Sequence, residues 1–484
     1  MVGVRHHRCR HFCVGHGPWH GHDCPAEYRG HFDSDLPTVQ WVIVGYALAI
    51  SALVLPMGRV GDILGRKYLY IGGLVIFVAA SAMAGFAPNL QSLIAAKVLQ
   101  GVGSAMIQGN GMAAIISTFP SSERGKALGT HMSVVGGGAI AGPAIGGLLV
   151  AAFGWQSVFF VNVPIILITI VMSWYVLDPN QETFGDEPGG RPTFDWPGAA
   201  LSGMALLAFL LVVGNGERQG WTSPLIASGG AITVVLLAAF VWWELHTKSP
   251  MLDLSLFRKK LVAFGIAASW LSFLGASSAR FMMPFYLQRV QEFEPRDAGL
   301  LLIPPAVCMV VIGPVSGRLS DRFGWQGLTV GGLVLSAMAW FTLAATLSES
   351  SPVILIVGML MAQSTGMALF ASPNNSSILS AVERHQYGVT SALTQLARNS
   401  ANVTSIAIAT TVVVATMGAR GVEPSLDAVS PAVADAFVAG LKWAFLVMGG
   451  LLVLGVGITI ARGERTKPGP LDRQEPTGAE TTGV

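Results

Sequence analysis

Uncharged apolar runs recur along the sequence, at 38–57, 68–86, 92–118, 129–153, 158–177, 197–215, 224–244, 262–287, 299–316, 327–347, 352–379, 388–417 and 438–461, with only isolated charges inside them. Each is close to or longer than the ~20 residues a helix needs to cross a bilayer core of about 30 Å. None alternates with the period of two expected of a barrel strand, and lipid accepts only helices or closed barrels because every backbone polar group must be paired internally. The thirteen runs therefore predict an all-α polytopic membrane protein whose first partner is the lipid bilayer.

Composition narrows the function. The 484 residues are 52% hydrophobic and 12% charged, against roughly 25% charged in a soluble domain, which excludes a soluble enzyme. Lys plus Arg (29) nearly cancels Asp plus Glu (27), so no basic field exists to hold nucleic acid. The positions of the cations say more than their number. Alternate loops and the tail hold seventeen of them, from Arg59, Arg66 and Lys67 through Arg124, Lys126 and Arg191 to Arg462 and Arg473, whereas the opposite loops hold only Arg218, Arg289, Arg296 and Arg420. The positive-inside rule then places the rich set and the C-terminus in the cytoplasm.

The loop after the first run reads GRVGDILGRK (58–67), and the loop after the ninth reads GRLSDRFG (317–324). Both fit Gly-Arg-apolar-small-Asp-x-apolar-Gly on the same predicted side, a duplication of the kind that builds transporters from two bundles rocking about a midplane site. Four runs follow the second copy, and four following the first would end at 177. The predicted division is a bundle at 38–177, a linker at 178–196, an inserted helix pair at 197–244, a linker at 245–261, a second bundle at 262–461 and a tail at 462–484. Two runs precede the second copy within its bundle but only one precedes the first. Symmetry thus predicts fourteen helices, with one missing before residue 38.

Residues 1–37 stand in its place. Residues 1–31 hold seven of the ten His and three of the four Cys. Cys9, Cys13, His16, His20 and Cys24 are chemically suited to zinc, but their spacing fits no standard pattern closely, and no metal is expected. The segment also lacks the apolar core of a signal peptide. Its codons shifted by one base turn every His from His6 to His22 into Ile, Thr or Met. His16 to Arg29 can then read M-D-H-G-M-V-T-I-A-L-P-S-I-A, an apolar helix with one acid and a closing Pro. The expectation is a first helix translated out of frame.

These features resemble the major facilitator superfamily, in its fourteen-helix drug:proton antiporter form, over residues 38–461. The loop 58–67 is similar to the superfamily signature through Gly58, Gly61, Asp62, Gly65, Arg66 and Lys67; LIAAKVLQGVGSAM (93–106) resembles the fourth-helix motif. GGGAIAGPAIGG, with Gly138, Gly142, Pro143, Gly146 and Gly147, resembles the fifth-helix antiporter motif, and SPNNSSI (372–378) an element of the twelfth helix. The resemblance implies two six-helix bundles plus two inserted helices, a proton gradient as energy source and no cofactor. It also implies a small amphipathic substrate, a monomer and the cell membrane as location.

The residues carry their own physical readings. Asp62 can accept from backbone N–H groups at a neighbouring helix start and pair with Arg66, forming a latch that favours one access state. Gly317, Asp321, Arg322 and Gly324 repeat the latch in the second half. For Arg59 and Lys67, a topology signal explains as much. Small residues at Gly138, Gly142 and Gly146 let a partner helix approach to backbone contact. Lys97, where the family pattern has Arg, lies inside a run and is a coupling candidate; snorkelling to the outer surface is its alternative. Gln395, Arg398, Asn399 and Asn402 form a polar stretch expected to line a cavity or to hydrogen-bond between helices, with Gln108, Asn110, Asn374 and Asn375 as secondary candidates. Trp270, Met283, Trp340 and Phe370 could supply apolar walls, although packing explains them equally. No nucleotide-binding loop is present, and no run combines a nucleophile with a base or paired metal ligands. Proton-coupled export leads. A dedicated metabolite exporter or uncoupled facilitator follows, then a non-transporting ligand sensor or an inactive product.

Overall fold

The computed structural model describes residues 36–119, 123–177, 194–383, 386–422 and 431–463. Its long helices are α1 (Leu36–Leu64), α2 (Arg66–Gly85), α3 (Leu90–Thr118), α4 (Arg124–Phe153), α5 (Asn162–Val176), α6 (Trp196–Gln219), α7 (Pro224–His246), α8 (Lys260–Phe285), α9 (Ile303–Phe323), α10 (Gln326–Thr346), α11 (Val353–Ser380), α12 (Tyr387–Ala419) and α13 (Pro431–Ala461). Short helical segments at Ser157–Phe160, Tyr286–Val290 and Pro295–Leu301 extend α5, α8 and α9. Every apolar run coincides with one helix. Among the described residues, twelve helices are long and apolar enough to cross a membrane, and α4 adds a helix of 30 residues. The expected out-of-frame first helix lies outside the described residues.

Local chemistry sets the helix starts. Asn89 caps α3 through a reciprocal box, its side chain accepting from the Ser92 N–H at 2.8 Å while Ser92 Oγ accepts from the Asn89 N–H at 3.3 Å. Asp195 and Ser223 cap α6 and α7, each followed by a proline in the first turn. The α1–α2 and α9–α10 turns are made the same way in both halves: Gly65 has φ 98° and Gly324 φ 88°, a region that side-chain-bearing residues rarely adopt.

Helices α1 and α2 pack on α3 in the first half, while α10 packs on α11 and α13, and α8 on α12, in the second. The halves meet along two seams, α1 against α12 and α4 against α9. The inserted pair lies on the first seam, with α6 against both α1 and α12. Helix α7 buries only Ile226, Thr233, Phe240 and Glu244, a single stripe at heptad spacing, and exposes Val234, Val235 and Leu245 as a lipid-facing helix would. The linker predicted at 245–261 contains a short helix, Leu254–Arg258. The predicted tail starts one residue early, because Arg462 is buried rather than solvated.

Candidate functional site: two latches and a crossing cluster

Asp62 sits in the last turn of α1, 3% exposed. It accepts from the N–H groups of Gly388 and Val389, both at 3.1 Å, in the first turn of α12. Those N–H groups have no partner within their own helix and carry the positive end of its dipole, so a carboxylate there is doubly favoured. Arg66, one turn further on, donates to the same carboxylate through Nη2 at 2.9 Å and Nε at 3.2 Å. The approach requires glycine: a Cβ on Gly58 would come within 2.8 Å of the Gly388 carbonyl oxygen. Tyr387, absent from the sequence-based candidates, stands 5.7 Å from both the Arg66 and the Arg124 guanidinium carbons, within cation–π range. Lys67 lies apart from the latch and donates to the Trp174 carbonyl at 2.8 Å.

The second half repeats the construction. Asp321 in the last turn of α9 accepts from the N–H groups of Gly125 at 2.9 Å and Lys126 at 3.0 Å, which open α4. A Cβ on Gly317 would strike the Gly125 carbonyl, and one on Gly313 would lie 2.9 Å from the Gly129 carbonyl oxygen. Ser372 of α11 adds a bond to the Gly125 carbonyl at 3.0 Å. Arg322 is not brought to Asp321; its guanidinium lies over the Phe323 ring at 5.3 Å. Both latches occupy the same end of the molecule and each joins opposite halves.

Between the halves, Gln108 Oε1 on α3 accepts from Gln395 Nε2 at 3.3 Å and Arg398 Nη2 at 3.4 Å on α12. Asn402 accepts from Ser277 of α8, and Asn399 is half-buried on the same helix. Three other cavity candidates pack elsewhere. Asn110 donates to the Met57 carbonyl at 3.1 Å and fills the space left by Gly61, so it fastens α3 to α1 behind the latch. Asn374 donates to the Gly265 carbonyl at 3.1 Å and accepts from Arg462 Nη1 at 2.7 Å, while Asn375 is buried beside it. Arg462 also donates to Ser377 at 2.6 Å and lies 4.4 Å over the Trp325 ring. Burial pushes its guanidinium down to about 10, which leaves it cationic at neutral pH. Trp340, Phe370 and Met283 are wholly buried in the packing of the second half rather than lining a cavity.

Lys97 is 2% exposed. Its ammonium lies 4.9 Å from the Tyr46 ring centre and 5.5 Å from that of Phe159, so the side chain is held inside the first bundle and does not snorkel. Gly138, Gly142, Pro143, Gly146 and Gly147 all fall within the continuous helix α4. Among the described glycines of α4, Gly125 and Gly129 make close backbone contacts with α9.

Two helical halves joined by mirrored carboxylate caps define a membrane carrier built by duplication. The Major Facilitator Superfamily profile matches residues 25–405. Riboflavin transporter RibZ of Clostridioides difficile is 30% identical over 357 residues, 74% of this chain and 76% of that protein. Multidrug resistance protein Stp of Mycobacterium tuberculosis is 29% identical over 81% of this chain and 72% of its own length. The fold is shared with the proton:xylose symporter XylE, with TM-score 0.62 and 12% identity over 90% of each chain. The chain belongs to the major facilitator superfamily and is a multi-pass membrane transporter.

Proposed function

We propose that the chain exports small amphipathic compounds across the cell membrane in exchange for protons. The observation that carries this reading is the pair of latches. Both lie at the end of the molecule where the Arg- and Lys-rich loops gather, the end that the positive-inside rule assigns to the cytoplasm together with the C-terminus. A carrier latched there holds its site open to the outside, the state in which an exporter releases cargo and takes up a proton. The multidrug resistance name of one relative supports the same direction. Gln108, Gln395 and Arg398 give the seam a few fixed polar anchors among apolar helices, which suits cargo selected more by shape and apolarity than by hydrogen bonds. Lys97, a buried cation held against two aromatic rings inside the first bundle, serves as the coupling group within a monomer.

The test uses the full chain reconstituted in liposomes as a monomer, with the Arg-rich face outward and an acidic lumen. A fluorescent amphipathic cation should accumulate only while the pH gradient lasts, and its addition should release protons from the lumen. Lys97→Gln should abolish substrate-dependent proton release while retaining dye binding. Dye movement indifferent to the gradient overturns coupling, and binding without movement overturns transport of this class of compound.

A further inference from the structure

The inserted pair α6–α7 carries a feature that neither latch uses. Asp195 Oδ1 accepts from the Gly198 N–H at 3.0 Å and from Trp243 Nε1 at 2.9 Å. Glu244, the residue after Trp243, accepts from the Leu252 N–H at 3.2 Å through Oε2. The remaining oxygen of each acid, Asp195 Oδ2 and Glu244 Oε1, is buried without a hydrogen-bond partner among the described residues. The two residues are 7% and 5% exposed. Both orphan oxygens converge on one bare Cα, since a Cβ on Gly198 would strike Asp195 Oδ2 and lie 2.8 Å from Glu244 Oε1. Both oxygens thus stand over the same glycine, each within 2.8 Å of one point.

Two buried carboxylates so placed repel, and each leaves an acceptor without a donor. Arg59 of α1 acts on Glu244 only weakly, behind burial, the loop N–H groups and Asp195 itself, so it does not offset the repulsion between the two acids. The adjoining loop carries Lys248, which is exposed, and Asp253, and the start of α12 brings the neutral Gln386 and Val389. A proton meets the need with no other ligand: the protonated acid donates and the ionised acid accepts.

We propose that Asp195 and Glu244 form a proton-binding site, one proton held between Asp195 Oδ2 and Glu244 Oε1, that ties the inserted helix pair to the first latch. The connection runs through the loop whose Leu252 N–H is held by Glu244. Its neighbour Met251 lines a cavity of about 210 Å³ together with Arg59 and Val389, and Val389 donates to Asp62. Loss of the proton sets two carboxylates against each other, frees the 250–253 loop and loosens the wall that this cavity shares with the latch. The proposal is independent of which compound the transporter carries.

Infrared spectroscopy of the full-length protein, titrated from acid to alkaline pH, reads the site directly. The wild type should show the C=O stretch of a protonated carboxyl at neutral pH, shifted in D2O and lost on alkaline titration; Glu244→Gln should lack it. The same band in both proteins at every pH overturns the proposal. A band that disappears when Na+ or Mg2+ is added at constant pH also overturns it, since the acids then form a cation site. Should Glu244→Gln fail to fold, Asp195→Asn gives the same two outcomes. Thermal unfolding provides the second readout. The folded state binds one proton more than the unfolded chain, so the wild-type midpoint should fall relative to that of Glu244→Gln as pH rises through the titration. A difference that stays constant with pH overturns the proposal.

Discussion

The two latches share a cap but not an environment. At the first, Asp62 is buried and held by two helix N–H groups and by two donors of Arg66 on one oxygen, with Tyr387 beside the arginine. At the second, Asp321 accepts from two N–H groups in the same way but is only partly buried, and among the described residues no arginine pairs with it, Arg322 having turned to Phe323. The shared part is what a duplicated helix end can reproduce: a carboxylate aimed at a dipole, and glycines that let two backbones meet. The difference is one of environment. A buried cap that also neutralises an arginine is far more costly to break than a cap open to water.

This contrast orders a set of expected effects. Asp62→Ala should be the largest, because it orphans two N–H groups and takes the buried carboxylate away from Arg66. Breaking a buried pair costs about 3–5 kcal/mol, so the thermal midpoint should drop sharply and transport should fall by more than an order of magnitude. Gly388→Ala comes next. Its Cβ would lie 2.6 Å from the Gly58 carbonyl oxygen, and forcing helices apart in a packed seam costs about 1–3 kcal/mol, readable as a lower thermal midpoint. Asp321→Ala should cost only ~0.5–2 kcal/mol, the worth of an N-cap. Equal losses of stability from Asp321→Ala and Asp62→Ala would show that burial and the arginine are not what separates the latches. Tyr387→Leu should be the mildest, at about 0.5–1 kcal/mol in all for two contacts near the limit of cation–π range, and its effect should vanish in an Arg66→Ala, Arg124→Ala background when the midpoints are compared as a cycle.

The helices were legible because lipid demands long apolar runs, and each run became one helix. Their ends were less so. The run ending at residue 57 was cut at Arg59, yet α1 continues to Leu64, because Asp62 and Arg66 satisfy each other and a tertiary partner. The repeat in GRVGDILGRK and GRLSDRFG marked both aspartates, but a loop sequence does not name the helix it will cap, so Gly388 and Gly125 went unnoticed. The sequence places Asn374 among the cavity candidates and Arg462 at the start of the cytoplasmic tail for one reason: each is polar and isolated in sequence, and only the fold brings them together. Tyr387 resembles any aromatic residue at a helix start until two arginines from the other half flank it.

The first latch also has a temporal side. Asp62 and Gly388 are 326 residues apart, so at synthesis rates of about 5–20 residues per second the aspartate emerges roughly 15–65 s before the N–H groups it will cap. Arg66, four residues away, is available almost at once and can keep company with the buried carboxylate during that interval. Asp321 emerges after Gly125 and Lys126, so its partners are already in the membrane and no escort is required. The order in which a ribosome delivers the two halves thus matches the unequal furnishing of their locks.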